Sequence, residues 1–205
     1  MLKHYLWDFD GTLFDSYPAL TEAFRRALAE YGVTASTEEI FREMIISIPY
    51  AWSVYQSRYG LPDSFMPRFR ELQKQLEPGM LVPMPGAMEI CEKIVQKGGK
   101  NYLYTHRDGM AVTFMKSCGM DRLFTGFVTS EDQFPPKPAP DAVLHILKTY
   151  GIDPKEAVMI GDRPIDVQAG KNAGIYGCFF DSGHTGTDGG ADWIIESLEE
   201  LETLG

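Results

Sequence analysis

Tyr5-Leu6-Trp7-Asp8-Phe9-Asp10-Gly11-Thr12-Leu13-Phe14-Asp15-Ser16 is the stretch that decides the fold. An apolar run rises to two carboxylates, and a glycine then lets the chain turn. The pattern predicts a buried strand over residues 3–7 that ends by presenting acids at the rim of a sheet. Far downstream, Ala157-Val158-Met159-Ile160-Gly161-Asp162-Arg163-Pro164-Ile165-Asp166 repeats the design. In open α/β sheets, ligands bind at the carboxyl ends of strands. Acids delivered by two strand ends can share one divalent cation.

Outward from the first strand, Ser16 is the expected N-cap of a helix, with Pro18 in the first turn and Gly32 at its end. A second helix is expected from Ser36 and Thr37, with Glu38 and Glu39 favourable in its first turn. Pro49 interrupts it. Further helical patterns run over 51–59 and from about 63 to 76. Pro78, Gly79, Pro83, Pro85 and Gly86 then read as a linker. From Gly86 onward, helices and strands alternate. Strands are expected over 101–104, 127–129, 157–160, 176–180 and 193–195, with helices over 87–97, 109–117, 139–150 and 164–173. Such alternation predicts an α/β fold, a doubly wound parallel sheet with a Rossmann-like core. Residues 1–15 and 83–205 would form that core, and 16–82 an inserted all-α unit.

The 205 residues carry a net charge of −10. That acidity argues against nucleic acid or an anionic membrane as the main partner. It leaves room for a phosphate substrate, because a lysine and a metal ion reverse the field locally. Cys91, Cys118 and Cys178 are odd in number and widely spaced, as reduced core thiols would be. No apolar run reaches the roughly 20 residues of a membrane helix. With a strand expected from residue 3, no signal peptide is expected. A cytoplasmic location is expected.

Asp8 and Asp10 suit chemistry on phosphorus. Carboxylate oxygens are the ligands Mg²⁺ prefers, and a carboxylate is a competent nucleophile toward phosphorus. Two acids so close can take different roles, one on the metal and one carrying a proton. A calcium loop fails here: its sixth position would be Leu13 rather than Gly, and its twelfth Ala19 rather than Glu. Thr105 closes another strand end and can donate to a phosphate oxygen; taken alone, capping of the next helix by Thr105 or Asp108 explains it better. Lys137, in Pro135-Pro136-Lys137-Pro138-Ala139-Pro140, is held stiffly by its prolines, as an anion-binding lysine or as a solvated turn. Asp162 can reach a metal, and Asp166 can orient Lys137 or metal-bound water. Both also suit the start of a helix. Gly183, His184, Gly186, Gly189 and Gly190 read as a flexible connection without a nucleotide-binding spacing. His4 and His145 read as structural.

In this order, the four constellations resemble the haloacid dehalogenase-like hydrolase superfamily. Asp8-Phe9-Asp10-Gly11-Thr12 looks like its first motif and Thr105 like its second. Lys137-Pro138-Ala139-Pro140 looks like the third, and Gly161-Asp162 through Gly170 like the fourth. The helical insertion resembles the α-helical cap of the phosphoglycolate phosphatase and β-phosphoglucomutase-like branch. The resemblance implies Mg²⁺ and a covalent aspartyl-phosphate. It makes Asp8 nucleophile and ligand, Asp10 general acid/base and backbone-carbonyl ligand, and Asp162 the third protein ligand. Thr105 and Lys137 would hold the phosphoryl group. One departure stands out: where relatives often place Asn, this chain has His106 and then Arg107. His106 is therefore expected at substrate or cap, and Arg107 as an added anion site. Arg42, Ser47, Tyr50 and Trp52 lie where such caps often read substrate.

The expected function is a Mg²⁺-dependent phosphatase of small phosphorylated metabolites. A sugar phosphomutase is the alternative, and a non-catalytic phosphometabolite-binding protein a further one. A dehalogenase would not need the acids at Asp10 and Asp162. A phosphonate hydrolase would need a cap lysine, and the insertion has only Lys74.

Overall fold

The computed structural model describes residues 1–181 and 187–204; Gly183, His184 and Gly186 of the glycine-rich connection lie outside them. The elements in chain order are β1 (His4–Trp7), β2 (Phe14–Asp15), α1 (Tyr17–Glu30), α2 (Thr37–Met44), α3 (Ile48–Tyr59), α4 (Phe65–Met80), β3 (Val82–Pro83), α5 (Ala87–Gln96), β4 (Lys100–Tyr104) and α6 (Met110–Cys118). They continue with β5 (Phe124–Val128), α7 (Asp141–Tyr150), β6 (Ala157–Gly161), α8 (Pro164–Asn172), β7 (Tyr176–Phe180) and β8 (Trp193–Ile195). A short 3-10 helix, Leu198–Thr203, follows.

Six strands form one sheet in the order β5-β4-β1-β6-β7-β8, and neighbours run parallel. The chain winds outward from β1 on one side through β4 and β5. It then returns to wind outward through β6, β7 and β8. The reversal lies between β1 and β6, and a doubly wound sheet opens its ligand crevice at that point, beyond the strands' carboxyl ends. Tyr5, Leu6 and Trp7 are all buried, as are the five residues of β6. Continuous apolar runs of this kind mark strands covered on both faces. On one face Leu6, Tyr102, Tyr104, Val128 and Met159 pack with Val143, Ile146 and Leu147 of α7 and Ala169 of α8. Toward α5, a polar residue is buried. Asn101 accepts from the Trp7 indole N–H at 3.0 Å and donates to the carbonyls of Cys91 and Leu123, each at 3.1 Å. This one side chain ties β1 and β4 to the middle of α5 and to the turn before β5.

The chain divides into two compact units, Met1–Phe14 with Pro83–Gly205, and Asp15–Val82. Helices α1–α4 make up the second unit around its own core. Phe24 sits at the centre, edge-on to Tyr55, Phe65 and Phe69 with centroids 4.8–5.4 Å away. The Ser36 cap of α2 is reciprocated by Glu39. Among the described residues no helix is long and apolar enough to cross a membrane. Cys91 and Cys178 are buried free thiols, whose burial pushes their pKa values up; Cys118 is free and half-buried.

Local details depart from the sequence reading. Ser16 occupies the N-cap position of α1, but its side chain caps nothing. Its backbone is helical rather than extended, and Pro18 has no N–H to give. Pro49 lies in the first turn of α3 and opens that helix. Helix α4 continues through Pro78 to Met80, where a linker was expected. Packing outweighs propensity here: Gln73 and Glu77 are buried and hydrogen-bonded at 2.7 Å, and the Leu81 N–H extends the ladder to Glu77. Strand β5 begins three residues before the expected 127. Gly126 interrupts its pattern in sequence, yet the gap is filled: an added Cβ there would stand 2.2 Å from the Tyr150 hydroxyl.

Asn101→Ala strips the buried Trp7 indole N–H of its partner and removes one bond each from the Cys91 and Leu123 carbonyls. We predict a loss of about 1–3 kcal/mol of unfolding free energy per group left unsatisfied, measured by urea denaturation.

Candidate active site

Asp8 directly follows β1, and its backbone N–H donates to the Ile160 carbonyl at 2.9 Å. Trp7 lies beside Ile160 in the register of β1 and β6, so Asp8 and Asp162 leave neighbouring strands at nearly the same level. One oxygen each of Asp8, Asp162 and Asp166 lies within 4.8 Å of the other two, and all three residues are buried. Lys137 enters this acid floor with its side chain fully buried. Its Nζ is 2.6 Å from Asp8 Oδ1 and 2.8 Å from Asp166 Oδ1. The ammonium also lies 4.5 Å from the centre of the Tyr104 ring. Asp8 Oδ2 is buried without a hydrogen-bond partner among the described residues.

Asp166 is positioned by α8. Its Oδ2 accepts the Arg163 backbone N–H at 3.1 Å, closing the first helical turn, while Oδ1 faces Lys137. The carboxyl group lies so close to β6 that a Cβ on Gly161 would stand 2.2 Å from Asp166 Cβ. Only glycine leaves room for that approach. Both oxygens of Asp166 are thus engaged, which suits orientation of Lys137. Arg163 Nε stands 3.9 Å from Asp166 Oδ2. Lys137 and Arg163 together do not match three carboxylates.

Burial pushes the Asp8 carboxyl well above the usual carboxylate range; the charge of Asp166 adds to this and Lys137 opposes it. Burial also works against the Lys137 ammonium, but Asp166 and Asp8 outweigh it and raise its pKa. The ammonium is therefore the better-held charge of the pair. An all-oxygen donor set with acids in excess fits a hard divalent cation. Asp8 and Asp162 are the side chains that would hold it, with Asp166 turned to Lys137 and the Arg163 N–H.

Thr105 is buried at the end of β4, where its N–H bonds the Val128 carbonyl at 3.0 Å. Its hydroxyl oxygen accepts the Arg107 backbone N–H at 3.1 Å. Its proton can then be donated elsewhere. The turn into α6 is closed by Asp108, which accepts from the Met110 N–H at 3.0 Å.

His106 does something the sequence did not suggest. Its Nε2 accepts the backbone N–H of Lys137 at 2.9 Å. An amide N–H can only donate, so this nitrogen is bare and the neutral ring carries its proton on Nδ1. The bond clips the loop bearing Lys137 to the end of β4. Burial, then the charges of Lys137 and Arg163, lower the imidazole pKa to about 4. The residue as a whole stays exposed, so the Lys137 bond is the firmer reason for the neutral ring.

Asp10 lies outside the buried acid group. Its carboxylate is gripped by Arg107: Nε is 2.9 Å from both oxygens, and Nη2 is 2.7 Å from Oδ1. The guanidinium also lies over the Phe9 ring, 5.1 Å from its centre. The sequence assigned Arg107 no pairing with Asp10, and nothing in the spacing of two residues 97 apart reveals one. In the helical unit, Ser47 is used as the N-cap of α3, accepting the Tyr50 N–H at 3.0 Å. Trp52 stacks on Phe65 at 5.1 Å. Arg42 and Tyr50 are exposed.

The chain belongs to the haloacid dehalogenase-like hydrolase family, whose model matches residues 5–179. It is 26% identical over 189 residues to a phosphoglycolate phosphatase of Mesorhizobium japonicum, covering 88% of this chain and 83% of that one. It is 27% identical over 202 residues to the pyrophosphatase PpaX of Bacillus velezensis, with 96% and 86% covered. Among solved structures, a hydrolase from Streptococcus pneumoniae TIGR4 superposes with a TM-score of 0.69 at 30% identity, covering 86% of this chain and 91% of that chain. The chain is accordingly an enzyme, a hydrolase of the phosphatase type.

The bare Nε2 of His106 makes a pH prediction. Unfolded, the imidazole takes up its proton near pH 6.5; folded, only near pH 4. Between these values the unfolded chain binds more protons, so the contribution to stability is full above pH 6.5 and is lost as pH falls toward 4. His106→Asn should flatten the fall in stability across that window by up to about one proton. Thermal melts at several pH values, compared between the two proteins, read this out.

Proposed function

We propose that this enzyme is a Mg²⁺-dependent phosphatase of small phosphorylated metabolites that works through an aspartyl-phosphate on Asp8. The observation that carries the proposal is the state of Asp8: buried at the switch point of the sheet, one oxygen on Lys137, the other without a hydrogen-bond partner among the described residues. A surplus of buried acids would repel a phosphate dianion unless a cation joined them. Asp8, Asp162 and the backbone carbonyl of Asp10 would hold Mg²⁺, which supplies positive charge beside the phosphoryl oxygens.

Asp8 attacks phosphorus in line. Lys137 and the Thr105 hydroxyl hold equatorial oxygens, positioning the group and offsetting charge that develops there. Asp10 gives a proton to the departing alkoxide and then takes one from the water that cleaves the acyl phosphate. Asp166 keeps Lys137 aimed, and His106 fixes the loop that delivers it. The relatives named for phosphoglycolate and pyrophosphate support small anionic substrates.

Two variants test the proposal together, with phosphate release from an aryl phosphate as the readout. Asp8→Asn should fall to the background rate while circular dichroism stays native, since an amide is a poor nucleophile. Asp162→Ala should raise the Mg²⁺ concentration for half-maximal activity at least about tenfold, since losing even a group that supports a metal's ligands costs on that scale. Normal turnover by Asp8→Asn, or an unchanged Mg²⁺ requirement, would reject these roles. Sugar-phosphate isomerisation with little phosphate release would place the enzyme among the mutases instead.

A further inference from the structure

We propose that Arg107 reads a second anionic group on the substrate, and that this reading frees Asp10 for catalysis. The inference rests on the phosphatase reading above and narrows it to a substrate class: phosphate compounds with a carboxylate or a second phosphate near the phosphoryl group that is transferred.

Both Asp10 oxygens accept hydrogen bonds from one guanidinium. A general acid must present an O–H to the leaving group, and a general base must present a lone pair to water. Each oxygen keeps a second lone pair, but an O–H formed on either would stand against the Arg107 cation. In the proposed cycle the clamp opens, and another anion takes the place of Asp10 on Arg107. The arginine is no loose surface residue. Its side chain is 11% exposed and that of Asp10 27%. Phe9 lies beneath the guanidinium, and the backbone N–H is tied to the Thr105 hydroxyl oxygen. These ties hold Arg107 two residues from Thr105, on the solvent side of the buried acids.

The planar fork of a guanidinium fits a carboxylate and a phosphate equally well. A substrate carboxylate or second phosphate can replace the Asp10 carboxylate on the same donors, so the pairing is conserved while Asp10 is released. A leaving group without charge offers nothing in exchange and leaves Asp10 clamped. Discrimination then falls on kcat as well as KM, because binding energy away from phosphorus readies the proton carrier.

The test compares wild type with Arg107→Gln on two pairs of substrates with Mg²⁺. Phosphoglycolate and inorganic pyrophosphate carry the second anion; glycerol phosphate and ethyl phosphate do not. The expected result is a fall of about tenfold to a hundredfold in kcat/KM for the first pair, the scale of a lost charged hydrogen-bond pair. For the second pair, kcat should rise, because Asp10 is no longer held. The ratio between the pairs collapses. A parallel fall for all four substrates would overturn the proposal and leave Arg107 as a positioning clamp on Asp10. An unchanged ratio would overturn it as well. Arg107→Lys keeps the charge without the fork, and carries the same comparison if Arg107→Gln does not fold. A folded wild type inactive on all four substrates and on an aryl phosphate would reject the phosphatase reading itself, a different failure.

Discussion

The buried ammonium of Lys137 is the constraint on which the site depends. An isolated cation in that position would be driven to lose its charge, and it stays charged because Asp8 and Asp166 both face it. Each acid is in turn fixed by backbone. Asp8 is fixed by its place beside β6, and Asp166 by the first turn of α8 and the bare backbone of Gly161. Removing either acid would leave a buried charge poorly compensated, which typically costs about 3–5 kcal/mol. The arrangement is therefore rigid before any substrate arrives.

Around that ammonium the charges fall in two layers. The inner one is dry and has more acid than base: Asp8, Asp162 and Asp166 against Lys137 and Arg163. It suits a divalent cation and is hostile to a bare phosphate. The outer one is the Asp10–Arg107 pair, nearer to water and balanced in itself. The inner layer defines the chemistry that the family shares. In the proposed reading, the outer layer is where the enzyme distinguishes between phosphate compounds.

Much of the fold was legible because β1, β6 and β7 are apolar runs with a turn residue near their ends. The acids are legible for the same reason: Asp8, Asp162 and Thr105 are the first polar residues after β1, β6 and β4, so strand order alone gathers them. What stayed hidden were contacts between distant side chains. The sequence shows Asp10 and Arg107 as two separate polar residues; only the parallel pairing of β1 with β4 makes them neighbours. His106 was expected at substrate or cap, whereas its ring turns to the Lys137 backbone, a bond set by how the proline loop packs. Pro78 misled because propensity acts locally and the burial of Gln73 and Glu77 does not. Ser16 misled because a capping side chain needs an extended N-cap backbone, and that of Ser16 is helical.

The proposed chemistry requires Asp8 to become covalently phosphorylated, and that species can be caught directly. Enzyme mixed with substrate and Mg²⁺ is quenched in acid within milliseconds, reduced with borohydride, digested and mapped by mass spectrometry. An acyl phosphate on Asp8 is reduced to homoserine, so the peptide containing Tyr5 to Ser16 should carry that change at position 8 and at neither Asp10 nor Asp15. Steady turnover with no reduced product at Asp8 across the pre-steady-state time course, or with reduction at another acid, would contradict the account.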